Sequence, residues 1–241
     1  MSTEPQVSRE IGTLNEGSLH AALKEWYAQP SDQFEVSVDS FVIDIVRGDL
    51  LIEVQTGNFS SIKRKVRTLL ADHSVRLVYP IAREKWIVRL AKDGSGDVLG
   101  RRKSPKHGVI EHLFEELVRL PRLLANPNLS LEVLLTQEEE IRYYDGRRVW
   151  RRRGWVIQER RLLDVVERRL FETPDDLAAL IPSDLAEPWT TADLAEAIGQ
   201  PRWLARKMAY CLRKMSAVEP VGKRGNAILY NRSDCQSDSH P

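Results

Sequence analysis

The stretch VIDIVRGDLLIEVQTG, residues 42–57, constrains this chain more than any other. Two apolar runs, Phe41 to Arg47 and Leu50 to Thr56, flank the pair Gly48-Asp49. A two-residue link containing glycine between β-type runs predicts a hairpin. With that turn Arg47 pairs with Leu50, and counting back sets Asp44 opposite Glu53. Directly opposed residues have Cβ atoms roughly 4.5–5.5 Å apart. Gln55 shares the face of Glu53 because side chains alternate along a strand. Ile43, Ile45, Ile52 and Val54 are expected on the other face. Two like charges so placed repel, and a divalent cation is the simplest relief. Hard oxygen ligands suit Mg2+ or Mn2+. The alternative is a polar face turned to solvent; Val42 and Leu51 on the same face argue against free solvation.

The surroundings predict an α/β unit. A helix starts near Leu14, carries Leu19, Leu23, Trp26 and Tyr27 at helical spacing and ends before Pro30. Phe34 to Val38 predicts a strand before the hairpin. Ser60 can cap a helix with Ile62, Val66, Leu69 and Leu70 on one face. Two further strands are expected, Val75 to Pro80 and Lys85 to Ala91, then an exposed basic loop over residues 93–108. A helix is expected over residues 109–124, a strand over 129–136, a basic aromatic hairpin over 142–156 and a helix from Glu159 to Phe171.

Charge is balanced in total, at +1, but not along the chain. Residues 1–60 hold 10 acidic and 3 basic residues, and residues 61–107 hold 13 basic and 4 acidic. Such segregation suits a protein that grips a polyanion beside metal-binding carboxylates, although solvated helix faces give the same pattern. No apolar run is long enough for a transmembrane helix, and the polar N-terminal stretch MSTEPQVSRE has no apolar signal core. Two cysteines support neither a disulfide framework nor a four-thiolate zinc site, so a cytoplasmic setting is expected. Glycine-rich phosphate loops of the GxxxxGK or GxGxxG type are missing from the sequence. His107 and His112 lack metalloprotease spacing and are expected on a loop and a helix surface.

Asp44, followed nine residues on by Glu53-Val54-Gln55 and then a helix, resembles the signature of the PD-(D/E)XK nuclease superfamily. The resemblance covers roughly residues 10–92. It implies a restriction-endonuclease-like mixed sheet flanked by helices, and metal-dependent hydrolysis of a DNA phosphodiester. Asp44 and Glu53 would bind Mg2+ or Mn2+, and Gln55 would orient the attacking water. Gln55 stands where the family has Lys; an amide positions water but supplies no positive charge. Lys63 or Lys65 on the next helix could replace that charge, or could contact phosphate or solvent. Family members often add a Glu from the first helix, and Glu16 is the candidate; Thr13-Leu14-Asn15-Glu16 equally reads as a capping box. Asp39 and Asp49 are weaker candidates, Asp49 being a turn residue.

Residues 186–232 resemble a winged helix-turn-helix domain. Thr190-Thr191 caps a short helix ended by Gly199, and Pro201 opens the next. That helix places Leu204, Met208, Cys211, Leu212 and Met215 on one stripe and Arg202, Arg206, Tyr210 and Arg213 on another. Gly222-Lys223-Arg224-Gly225 forms a basic turn between two strands. DNA contact is expected from Arg202, Arg206, Arg213, Lys223 and Arg224, with Lys63 as a further phosphate contact. The hairpin 142–156 adds Arg151 and Arg152, flanked by Arg147, Arg148 and Arg153, with Trp150 and Trp155; interleaved Arg and aromatics suit nucleic acid, or a bridge to the acidic segment 170–200.

The expected organisation is a nuclease-like domain over residues 1–140, a hairpin linker over 141–158, a winged helix over 159–232 and a disordered tail over 233–241. The expected function is a Mg2+-dependent DNA endonuclease in DNA processing or defence. Two other readings stand beside it: an inactive nuclease-like DNA-binding protein or transcriptional regulator, and an adaptor using the winged helix against a protein partner. A double-strand cut would call for two active sites and hence a homodimer. No membrane partner is expected.

Overall fold

The computed structural model describes residues 17–92, 95–146 and 154–233. Helix α1 (Ser18–Tyr27) precedes an antiparallel meander of β1 (Gln33–Val38), β2 (Phe41–Arg47) and β3 (Leu50–Val54). Helix α2 (Phe59–Leu69) leads to β4 (Ser74–Leu90), which runs parallel to β3. Strand β5 (Val98–Lys103) pairs with the far half of β4. Strand β6 (Leu129–Tyr144) lies parallel to β4 on its other edge, and β7 (Trp155–Phe171) pairs antiparallel with β6. The order β1-β2-β3-β4-β6-β7, with β5 on β4, makes one mixed sheet.

The turn of the β2–β3 hairpin needs glycine, since Gly48 has φ +55°. It fixes the expected register: Arg47 pairs with Leu50, Val46 with Leu51 and Ile45 with Ile52. Pairing ends there. Phe34 pairs with Ile45 and Val36 with Ile43, which sets Glu35 against Asp44, and Glu35 has φ 53°. Alternation breaks at this step. Ile45, Ile52 and Val54 pack under α1 with Leu19, Leu23 and Tyr27, whereas Ile43 joins the core beneath α2 with Phe59, Val66 and Leu69. The expectation that Ile43 shares the face of Ile45 is therefore corrected.

The two strands expected over residues 75–91 are one strand with a bulge at Ala82/Glu84. Pro80 is tolerated inside it for a local reason. Val78 O accepts from Gln55 N–H at 2.8 Å, so Pro80, two residues on, aims its missing donor at the side β3 has left. The helix expected over residues 109–124 is shorter: a 3-10 turn over Ile110–Leu113, α3 (Phe114–Leu117) and a second 3-10 turn over Leu123–Ala125.

The helix expected from Glu159 to Phe171 is strand β7. Leu162 and Val165 pack under α1, a spacing of three that looks helical in sequence. The β6 register explains it: Leu162 pairs with Glu138 and Asp164 with Gln137, so Leu163 is an extra, bulged residue.

After β7 come α4 (Pro174–Ala178), α5 (Thr191–Ala197), α6 (Arg202–Lys214) and the hairpin β8 (Val218–Arg224) and β9 (Ala227–Arg232). Trp189 bridges to β9 by paired backbone hydrogen bonds with Tyr230 at 3.0 and 2.8 Å, and its ring stacks on Tyr230 at 5.2 Å. The expected α6 stripe, Leu204, Met208, Cys211, Leu212 and Met215, is buried. It belongs to the same core as Leu113, Phe114 and Phe171, so the helices after β7 pack on the α2 face of the sheet. Among the described residues no helix is long and apolar enough to cross a membrane.

Trp189 is fully buried where the last hairpin meets this core. Trp189→Ala is expected to cost about 3–5 kcal/mol in urea unfolding; a change within 1 kcal/mol or so would contradict this packing.

Candidate functional site

The candidate site forms where β3 leaves the sheet while β4 continues. Past Ile45, β2 no longer pairs with β3, and the Asp44 carboxylate takes over: Val54 N–H donates to Asp44 Oδ2 at 2.9 Å. His20 Nε2 on α1 lies 3.1 Å from the same oxygen, and Lys24 Nζ lies 4.0 Å from Oδ1. Lys24 also pairs with Glu35. Glu35 is thus a non-glycine residue held at positive φ within the site, a kind of local strain concentrated at functional positions.

Glu53 reaches toward the α2 side and is 5% exposed. Lys65 Nζ, from α2, contacts its Oε1 as an ion pair. The ammonium donates its hydrogen bond to Val42 O, and Oε1 is left buried without a hydrogen-bond partner. The α2 N-terminus is fixed from outside, since Phe59 N–H donates to Glu116 Oε2 at 2.9 Å. Gln55 sits one residue beyond β3 and donates its side-chain amide to Gly57 O.

The two carboxylates are tuned in opposite directions. Burial pushes Asp44 up, but hydrogen bonds from His20 and the Val54 amide, with the attraction of His20 and Lys24, hold it below the usual range. Burial pushes Glu53 above its ordinary value, and the Asp44 charge adds to this; Lys65 offsets only part. One group charged and one inclined to hold a proton is how a close carboxylate pair resolves its repulsion.

Asp44 and Glu53 are neighbours close enough to influence each other, but they are not the cross-strand pair on one face that the hairpin register predicts: Asp44 turns to α1 and Glu53 to α2, and Gln55 contacts Gly57. Of the two lysines on α2, Lys65 reaches Glu53 and Lys63 is exposed. Glu16, Arg151 and Arg152 lie outside the described residues, as do Arg147, Arg148, Arg153 and Trp150. His20 and Lys24 were not anticipated as neighbours of Asp44. Their i, i+4 spacing beside the buried Leu19/Leu23 stripe is the signal that could have found them. Asp39 pairs with His73 at 2.9 Å, away from this site.

The residues partly fit a divalent cation. Glu53 Oε1 is buried and makes no hydrogen bond in good geometry, but it already meets the Lys65 ammonium, and Asp44 is its neighbour. Among the described residues no group of three or more His, Cys, Asp or Glu forms a cluster that could hold a metal. A hard cation here would rest on Asp44 and Glu53, with water and substrate oxygens completing its shell.

A second surface lies on the last helices. Arg202, Arg206, Tyr210 and Arg213 of α6, with Arg224 and Asn226 of the hairpin, line a cleft of about 630 Å³. Arg224 is held by Asp193 and by Thr190 Oγ1 at 3.4 Å. Lys223 is exposed beside it. Cys211 is a core residue as expected, and burial pushes its thiol up to about 12, so it is no nucleophile.

The fold and site define a mixed α/β protein with a paired-carboxylate hairpin, followed by a helical unit with a basic cleft. Residues 17–172 match the family model described as a domain of unknown function, DUF8091, and the chain belongs to that family. The matched span opens at α1 and closes just after β7, so the family unit is the sheet with its first helices. A protein of Treponema pallidum (strain Nichols), described as uncharacterized, is 32% identical over 223 residues, covering 92% of this chain and 87% of that relative. No solved structure matches the chain.

The opposite tuning predicts opposite mutational signs. Asp44 favours the charged form when folded, so its contribution is present above its unfolded pKa and lost as pH falls. Glu53 favours the protonated form, so the folded state is penalised as pH rises above 4.5, its ordinary value. Asp44→Asn should lower the melting temperature at pH 7, and Glu53→Gln should raise it, with the Glu53→Gln gain vanishing below pH 4.5. Equal signs for the two variants at pH 7 would refute the assignment.

Proposed function

We propose that this chain is a metal-dependent DNA endonuclease whose carboxylate hairpin belongs to a restriction-endonuclease-like unit of PD-(D/E)XK type and whose last helices form a winged helix. What supports the first assignment is the order α1, three-strand meander, α2, then β4 parallel to β3, with Asp44 and Glu53 at the end of the hairpin. What supports the second is the order α4, the Trp189 bridge, α5, α6 and the β8–β9 hairpin.

The observation that carries the reading is Lys65. The sequence pattern lacks a lysine at Gln55, and α2 brings one to Glu53 from the next element instead. A positive charge at this point stabilises the charge that builds on a phosphodiester under attack. Asp44 and Glu53 would hold the cation, which when bound would supply a polarised water and neutralise a phosphoryl oxygen. His20 and Lys24 fix the orientation of Asp44 from α1. Arg202, Arg206 and Arg213 hold the duplex backbone. A DNA-processing or defence setting suits this activity, and the cytoplasm is its expected location.

A second reading has a specific observation in its favour. Each carboxylate already has protein cations beside it, and the Gln55 amide donor is committed to Gly57. A site so satisfied suits a nuclease-like protein that binds DNA without cutting it.

The test is nicking of supercoiled plasmid in Mg2+ and then Mn2+. Wild type is expected to nick; Asp44→Ala and Glu53→Ala should abolish it, and Lys65→Met should lower the rate roughly 10²–10³-fold. Failure of the wild type to nick, with salt-sensitive DNA binding retained, would favour the second reading. Full activity in Lys65→Met would remove the lysine from the mechanism.

A further inference from the structure

A cleft of about 860 Å³ lies between the far half of the sheet and the start of α6. Four separate segments bring cations to it: Lys85 from β4, Arg102 from β5, Lys106 from the loop after β5 and Arg142 from β6. The basic loop expected over residues 93–108 is therefore not simply exposed chain. Its end is pinned to β4: Ser104 N–H donates to Lys85 O at 2.7 Å, and Gly108 N–H donates to Ala82 O at 3.0 Å. Gly108 approaches so closely that a Cβ there would lie 2.4 Å from Ala82 O. Lys106 and His107 are presented by a fixed turn.

The charge does not cancel. Glu140, 5% exposed, takes Lys85 at 3.5 Å and Arg142 at 2.5 Å, so one buried carboxylate orients two cations. Among the described residues Arg102 and Lys106 have no acidic partner. Glu115 is the other acid of the cleft and lies 3.9 Å from His112. The opposite wall carries Pro201 and the exposed Trp203, at the first turn of the 13-residue α6, whose N-terminus has no side-chain cap and adds partial positive charge.

We propose that this cleft binds the phosphodiester backbone of a nucleic-acid strand, as a contact separate from the α6 groove. Residues at the start of α6 divide between the two clefts: Pro201, just before the helix, and Trp203 line this one, and Arg202 and Arg206 line the other. A linear polyanion touches both, where a single phosphate would fill only one. The sheet half that carries the cleft continues past the point where β3 ends at Val54, on the same strands β4 and β6. The inference rests on the reading that the chain binds DNA.

Fluorescence anisotropy with labelled duplex and single-stranded DNA, over a range of salt, tests it with the full chain. The Arg102→Glu/Lys106→Glu variant alters two exposed residues outside the core, and circular dichroism confirms its folding. It is expected to bind at least about tenfold more weakly and to lower the slope of log K against log salt by about two. An Arg206→Glu/Arg213→Glu variant serves as the separate α6 probe. Wild-type affinity and slope in the cleft variant, with weakened binding in the α6 variant, would overturn the cleft and leave the DNA reading standing. No salt-dependent binding by the wild type would overturn both.

Discussion

The hydrogen bond from Val54 N–H to Asp44 Oδ2 is the point on which the site depends. At this level β2 stops pairing with β3, β3 is about to leave the sheet, and β4 continues alone. A backbone donor at the last residue of β3 must be satisfied, since a buried unpaired N–H is costly. The Asp44 carboxylate satisfies it, and in doing so is turned toward His20 and Lys24 of α1. The parting of the strands and the orientation of the acid are one event.

The rest of the site follows from which layer each residue reaches. Asp44 is served by α1, Glu53 by α2, and the sheet lies between the two helices. Separate cation sources allow one carboxylate to be held below its ordinary pKa and the other above it, although they are neighbours. Glu35, at positive φ opposite Asp44 and paired with Lys24, belongs to the same construction. Strain at that residue is offset by the surrounding meander and by the Lys24 ion pair.

Much of this was legible in sequence because it rests on local rules. The Gly48 turn sets the hairpin register as far as Ile45 and Ile52; beyond them Asp44 meets β3 through the Val54 amide and not as a cross-strand partner of Glu53. The α6 stripe follows from 3.6-residue spacing alone. What sequence did not show was non-local. Lys65 could be named as a candidate, but its contact with Glu53 depends on how α2 lies across the sheet. Strand β7 was misread because its bulges convert a period of two into a spacing of three at Leu162 and Val165. His107 lies on an exposed loop and His112 on a short helical turn, as expected, but their grouping in one cleft with Lys85 and Arg142 depends on the start of α6, far along the chain.

The central claim is that Asp44 and Glu53 together form a site for a hard divalent cation. Titration calorimetry with Mn2+, on wild type and on an Asp44→Asn/Glu53→Gln variant, tests it without requiring cleavage or a known DNA sequence. The account predicts saturable binding by the wild type that is lost in the double variant while the fold persists. No binding by the wild type, with or without DNA, or equal binding by the variant, would contradict it.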